Sequence, residues 1–163
     1  MPEKNVIRTA DICDAHPEAS LIQINFNDYG KRQYFHGVAV TYTTYEDISG
    51  IREILSKEGQ GKVLVVDGRG SMRRALCGGN IATQAYESGW EGLIFNGAIR
   101  DQHEISLLDF GLKAIGSSPM RPSQNGPGMI TQEAFIGNVI VRSGEYIYAD
   151  ADGVVVLPEQ VQM

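Results

Sequence analysis

The run Val63-Leu64-Val65-Val66-Asp67 constrains the fold of this chain more than any other stretch. It is short, β-branched and apolar at consecutive positions. That pattern suits a strand covered on both faces in the middle of a sheet. A second such run, Leu93-Ile94-Phe95-Asn96, follows later. Between them, Asn80 to Ser88 carries Ile81 and Ala85 one turn apart, which predicts a helix. Strand, helix and strand in succession point to a mixed α/β domain.

The flanking segments extend this pattern. A short helix is expected over Thr9 to Ala15, with Thr9 as its N-cap and Ile12 and Cys13 facing inward. Leu21 to Phe26 reads as a strand, and Asn27-Asp28-Tyr29-Gly30 as a turn. His36 to Tyr42 reads as another strand. Ile48, Ile51, Ile54 and Leu55 predict an amphipathic helix over Glu46 to Lys57, with Gly50 as an irregularity inside it. Ile105 to Phe110 reads as a helical turn and Leu112 to Ile115 as a strand. Ser117 to Gly128 is rich in Ser, Pro and Gly and reads as loop. Short strands follow at Phe135-Ile136, Val139 to Val141, Tyr146 to Tyr148 and Val154 to Leu157. Glycine turns at Gly144 and Gly153 separate the last three. The front half alternates helix and strand and the back half is strand-rich. A single domain over residues 1–163 accounts for all of it.

Composition narrows the function classes. The net charge of -6 opposes nonspecific binding to a phosphate backbone. It remains compatible with a basic protein partner. Two cysteines, Cys13 and Cys77, make neither a disulfide framework nor a CxxC zinc pair. No apolar run reaches membrane-spanning length, and the first residues lack the apolar segment of a signal peptide. A soluble chain in the reducing cytoplasm is the expectation. Gly68-Arg69-Gly70-Ser71-Met72-Arg73 half-resembles a dinucleotide fingerprint, but Arg73 stands where the third glycine belongs. It reads as a plain glycine turn.

The stretch from Cys77 to Glu104 carries the chemistry. Gly78-Gly79-Asn80-Ile81 opens a helix, and backbone N–H groups at a helix start attract a carboxylate. Arg100 offers a fork of donors to the same ligand. Asp101, with Glu104 three residues on, suits a hard divalent cation, bound directly or through water. His103 lies between them and reads as a side chain facing solvent. His16 and His36 read as structural, Trp90 as core, and Asp150 and Asp152 as a hairpin turn. Asp67, at a strand end, either lines the cleft or caps the following loop.

These residues together resemble the RraA-like family, which holds 4-hydroxy-4-methyl-2-oxoglutarate aldolases and regulators of ribonuclease activity. The match runs through Val63 to Gly68, Gly78 to Ala82, Gly92 to Asp101 and Ser143 to Pro158. The family pattern is Gly or Asp, twenty residues, Arg-Asp, two residues, then Glu or Asp. Gly79, Arg100, Asp101 and Glu104 satisfy it. The resemblance implies a compact α/β/β sandwich of the swivelling phosphohistidine-domain type. It also implies a homotrimer with active sites between subunits, and an Mg²⁺- or Mn²⁺-dependent pyruvate aldolase with oxaloacetate decarboxylase side activity. In that scheme Gly78, Gly79, Asn80, Ile81 and Arg100 bind a small 2-oxo acid, and Asp101 holds the metal. Arg100 and Glu104 serve catalysis. The aldolase branch often has Asp where this chain has Gly79, so Glu104 is expected to order the water instead. Regulator members can lack the Asp after the arginine, whereas this chain keeps Asp101. The rival expectation is a protein that binds and inhibits an RNA-degrading endonuclease of the ribonuclease E type. A quinone-precursor methyltransferase has little support without a glycine-rich cofactor loop.

Overall fold

Strand order explains how a chain of this length builds its site. The computed structural model describes residues 6–124, 126 and 132–162. The described elements are α1 (Thr9–Ala15), β1 (Ser20–Leu21), β2 (Asn27–Asp28), β3 (Phe35–Thr43), α2 (Ser49–Leu55) and β4 (Lys62–Asp67). They continue with α3 (Gly79–Glu87), β5 (Gly92–Ile99), α4 (Gln102–Ser106) and β6 (Gly111–Ser117). The chain closes with β7 (Glu133–Ile136), β8 (Val139–Arg142), β9 (Tyr146–Asp150) and β10 (Gly153–Leu157). The main sheet runs β1-β10-β9-β3-β4-β5-β6-β2. Strands β3 to β6 are parallel neighbours, with Val40 opposite Leu64 and Leu64 opposite Leu93. The apolar runs thus lie in the two middle strands of the parallel core, where Val63 to Val66 and Leu93 to Phe95 are fully buried as their composition demands.

Each face of the sheet has its own cover. On one face Leu64, Val66, Leu93 and Phe95 pack with Ile51 and Leu55 of α2 and Ile81 and Ala85 of α3. On the other, Val63, Val65 and Ile94 pack with Ala134, Ile136 and Val141 of the β7–β8 hairpin. Helices, sheet and hairpin make the expected α/β/β sandwich.

Several sequence expectations need correction. Leu21 to Phe26 is not one strand. Only Ser20 and Leu21 pair, at the β10 edge, while Asn27 and Asp28, read as turn, pair with β6 at the opposite edge. The alternation of Ile22, Ile24 and Phe26 is real and joins the hairpin-side core. The amides of Ile24 and Phe26, however, bond locally to the carbonyls of Ile22 and Ile24. This segment crosses the sheet instead of extending it. The second helix begins at Ser49, not Glu46. Glu46 has a left-handed backbone (φ 58°) and a buried carboxylate that accepts from the Ser71 hydroxyl and pairs with Arg73. Gly50 lies in α2 because a Cβ there would collide with the Tyr42 ring. Thr9 is not the cap of α1; Arg8 holds that position, and the Thr9 hydroxyl donates to Asp150 at 2.7 Å. Ile12 faces inward but Cys13 is exposed. The helical turn expected at Ile105 starts earlier, at Gln102. The expected loop over Ser117 to Gly128 lies partly outside the described residues.

Candidate active site

The site lies where parallel strands end, the usual place for ligands on such a sheet. Among the described residues, three non-glycine positions have a left-handed backbone: Glu46, Arg69 and Asp101. Each follows within three residues of the end of β3, β4 or β5. Such conformations cost about 1–3 kcal/mol apiece and cluster where function fixes the backbone. Asp67 closes β4 and its carboxylate accepts the Arg69 amide at 2.9 Å, so it caps the loop.

The glycine pair reaches Arg100 through a short parallel bridge. Ala75 pairs with Ala98, the Leu76 amide donates to the Ala98 carbonyl, and the Arg100 amide donates to the Cys77 carbonyl. These bonds lay residues 75–77 along the end of β5. Gly78 then caps α3 with extended backbone, and Gly79 starts the helix. The Gly79 amide donates to Asp101 Oδ2 at 2.9 Å. A Cβ on Gly78 would lie 2.6 Å from that oxygen and 3.6 Å from Arg100 Nε. A Cβ on Gly79 would overlap Glu104 Oε2. Gly79, Arg100, Asp101 and Glu104 therefore converge on the mouth of α3, with Asn80 and Ile81 in its first turn.

The Gly79 N–H is used by the chain's own Asp101, so the amides of Asn80 and Ile81 are the ones that face no intrahelical carbonyl. The Ile81 side chain is buried and could serve only through its backbone. Arg100 makes one long contact, Nη1 to the Pro119 carbonyl at 3.5 Å, which leaves its fork available. Asp101 and Glu104 are exposed, as is His103. Cys77 is buried beside them. Burial first, and then the Asp101 charge, push its thiol up, so it offers no thiolate nucleophile.

A cavity of about 60 Å³ lies here, lined by Gly78, Asn80, Ile81, Arg100 and Asp101 and bounded by Arg52, Pro122 and Gln124. The last three were not legible in the sequence. Arg52 sits on the polar side of an amphipathic helix, where periodicity reads solvent. Pro122 and Gln124 belong to a loop that is held in place by bridging. The Ser123 amide donates to the Glu46 carbonyl, and the Ile48 amide donates back to the Ser123 carbonyl. A larger cavity, about 740 Å³, lies beside Arg8, Tyr34 and His36 and contains none of the predicted residues.

Among the described residues no group of three or more His, Cys, Asp and Glu is placed to hold a metal. The donor set nonetheless fits Mg²⁺ or Mn²⁺. Mg²⁺ commonly binds through one or two carboxylates plus water and substrate oxygens. Asp101 is exposed, and among the described residues its carboxylate accepts one hydrogen bond, from Gly79.

A family model described as RraA-like: Aldolase/RraA matches residues 9–156. The chain belongs to the RraA-like family. It is 42% identical over 156 residues to a Pseudomonas aeruginosa PAO1 protein described as "Putative 4-hydroxy-4-methyl-2-oxoglutarate aldolase", covering 95% of this chain and 96% of that one. Among RraA-like structures it is similar to the RNA-processing inhibitor RraA from Thermus thermophilis, with TM-score 0.93, 38% identity and coverage of 96% and 95%. It is equally similar in shape to a Geobacillus kaustophilus HTA426 structure described as S-adenosylmethionine: 2-dimethylmenaquinone methyltransferase. There the TM-score is 0.93, with 40% identity and coverage of 95% and 97%. In this RraA-like chain the turn at Gly68 to Arg73 does not open a helix, since α3 starts only at Gly79. No helix among the described residues is long and apolar enough to cross a membrane.

Proposed function

We propose that this protein is a divalent-metal-dependent lyase that cleaves 4-hydroxy-4-methyl-2-oxoglutarate to pyruvate and also decarboxylates oxaloacetate. The observation that carries the reading is the 2.9 Å bond from the Gly79 amide to Asp101, with Arg100 against the same glycine pair. It joins an anion-binding helix mouth to an exposed carboxylate and a guanidinium. Both reactions break a bond next to a 2-oxo acid and leave negative charge on the pyruvate oxygens.

The residues divide that work. The amides of Asn80 and Ile81 hold the substrate carboxylate, where the absence of side chains at Gly78 and Gly79 lets it approach. Arg100 presents a fixed positive charge to the oxygens on which negative charge develops. Glu104 orients the water that takes the proton from the substrate hydroxyl. A cation held at Asp101 would draw electron density from the 2-oxo group. Oxaloacetate has no hydroxyl proton to lose, so its decarboxylation depends on Arg100 and Asp101 more than on Glu104. A homotrimer in the cytoplasm remains part of this proposal.

Pyruvate release from both substrates, measured with Mg²⁺ and with excess chelator, tests the reading. Release that stops with chelator supports it; no release from either substrate overturns it. Arg100→Ala should keep cation binding and lose about 100- to 1000-fold in turnover, the usual loss for one electrostatic donor.

The second reading is a regulator that docks on an RNA-degrading endonuclease. Similarity to the Thermus RNA-processing inhibitor and the net charge of -6 favour it. Such binding should survive Asp101→Asn, and no association at micromolar concentration would count against it.

A further inference from the structure

The cavity at the mouth of α3 has two guanidiniums on its wall, and the proposed reaction uses one. Arg52 lines the same space as Arg100 and Asp101. It is exposed there, and among the described residues no carboxylate pairs with it. The two acids that precede it most closely in sequence are already committed, and no ion pair joins it to the adjacent Glu53 among the described residues. Glu46 is held by Ser71, Arg73 and Arg74. Asp47 accepts the amides of Ser49 and Gly126, each at 2.9 Å. Burial alone would raise the Asp47 carboxyl, but those amides outweigh it and hold it below the usual range, so its charge is already satisfied. Arg52 and Arg100 are thus left as like charges around one small space. That arrangement is unfavourable until an anion enters.

One carboxylate does not account for both. The 2-oxo acid end of the substrate occupies the α3 mouth and Arg100. A short chain extending from it meets the wall formed by Arg52, Pro122 and Gln124. Pro122 and Gln124 also border an open depression of about 560 Å³, so this end has room beyond the small cavity. A planar guanidinium matches a carboxylate through two parallel hydrogen bonds. We infer that Arg52 binds the distal carboxylate of the substrate and makes the site selective for dicarboxylic over monocarboxylic 2-oxo acids. This rests on the lyase reading above, and it assigns Arg52 to recognition and not to bond cleavage.

Equilibrium binding with two inert probes isolates the effect. In the presence of Mg²⁺, 2-oxoglutarate carries the distal carboxylate but lacks the hydroxyl needed for cleavage. 2-Oxopentanoate has the same chain length without that carboxylate. Calorimetry on the wild-type protein should show 2-oxoglutarate binding tighter by about 10- to 100-fold, the range for a hydrogen bond to a charged group. Arg52→Gln should bring that ratio close to one while leaving 2-oxopentanoate affinity unchanged, and Arg52→Lys should keep part of it. A wild-type protein without the preference, or a ratio unchanged in Arg52→Gln, overturns the assignment. Equal loss of both probes also overturns it, because that marks a general structural role. Oxaloacetate turnover by the wild-type protein reports separately on the reaction. A preference that needs Arg52 in a protein with no turnover would keep the anchor and remove the lyase.

Discussion

A methyl group on Gly79 and the carboxylate of Glu104 cannot occupy the site together. This gives physical content to the family's choice between Gly and Asp at that position. A side chain at residue 79 and the carboxylate of Glu104 are alternative ways to fill one volume beside the α3 mouth. Gly79→Asp alone should therefore force Glu104 aside and set two carboxylates against each other. Glu104→Ala alone should leave the volume empty. Both single variants should lose aldol cleavage, and Gly79→Asp with Glu104→Ala should recover part of it. The recovery is measured as a non-additive term in a double-mutant cycle, typically about 0.5–3 kcal/mol for touching residues. Strict additivity would show that the two positions act independently. Asp101 is tuned at the same scale. Its left-handed backbone, φ 60° and ψ 43°, is one that Asp and Asn tolerate better than most residues. That conformation turns the carboxylate back to the Gly79 amide.

At the scale of elements, α2 shows why a residue outside the site can be fixed by it. Alanine is a better helix former than glycine by about 1 kcal/mol. Gly50 lies within α2, yet a Cβ there would collide with Tyr42 of β3. Gly50→Ala should therefore lower stability by about 1–3 kcal/mol, the cost of overpacking, and not raise it. Denaturant unfolding checks the sign, and stabilisation would mean that Tyr42 moves freely. The same elements mark how far the sequence could be read. The parallel middle strands, α3 and the Gly79–Arg100–Asp101–Glu104 set were legible because composition and spacing are local properties. Leu21 to Phe26 was misread because its period of two is shared by strands and by extended chain crossing a sheet face. The start of α2 was misplaced because Glu46 is fixed by Ser71, Arg73 and Arg74, partners distant in sequence. Arg52 and the loop at Pro122 and Gln124 depended on tertiary bridging that no periodicity encodes.

At the scale of the whole molecule, buried carboxylates hold distant segments together: Asp150 ties the first helix to β9, and Asp47 ties Gly126 to the start of α2. Asp150 of β9 accepts the Thr9 amide at 2.8 Å and the Thr9 hydroxyl at 2.7 Å. Burial alone would raise its carboxyl, but the Thr9, Asp152 and Gly153 donors outweigh burial and hold it below the usual range. Asp47 is lowered in the same way. A depressed folded value means that this stabilisation is fully present above the unfolded Asp value of about 3.9. It is lost as the pH falls through the lower folded value. The melting temperature should drop in that window, and Asp150→Asn should show a shallower drop from a lower starting point. An equally steep drop in the variant would assign acid unfolding to other groups. Of the two carboxylates, only Asp47 lies at the site end of the sheet, where an electrostatic site requires rigidity; Asp150 lies beside the start of β3, at the other end. The proposed chemistry depends above all on one charge. Asn keeps the left-handed backbone and an acceptor for the Gly79 amide, so Asp101→Asn removes little but the negative charge. The decisive measurement is pyruvate release from oxaloacetate in Mg²⁺ by wild-type and Asp101→Asn proteins of equal melting temperature. Chelator-sensitive release by the wild type and a loss of about 100-fold or more in the variant is the predicted result; unchanged Mg²⁺-dependent release by Asp101→Asn would contradict it.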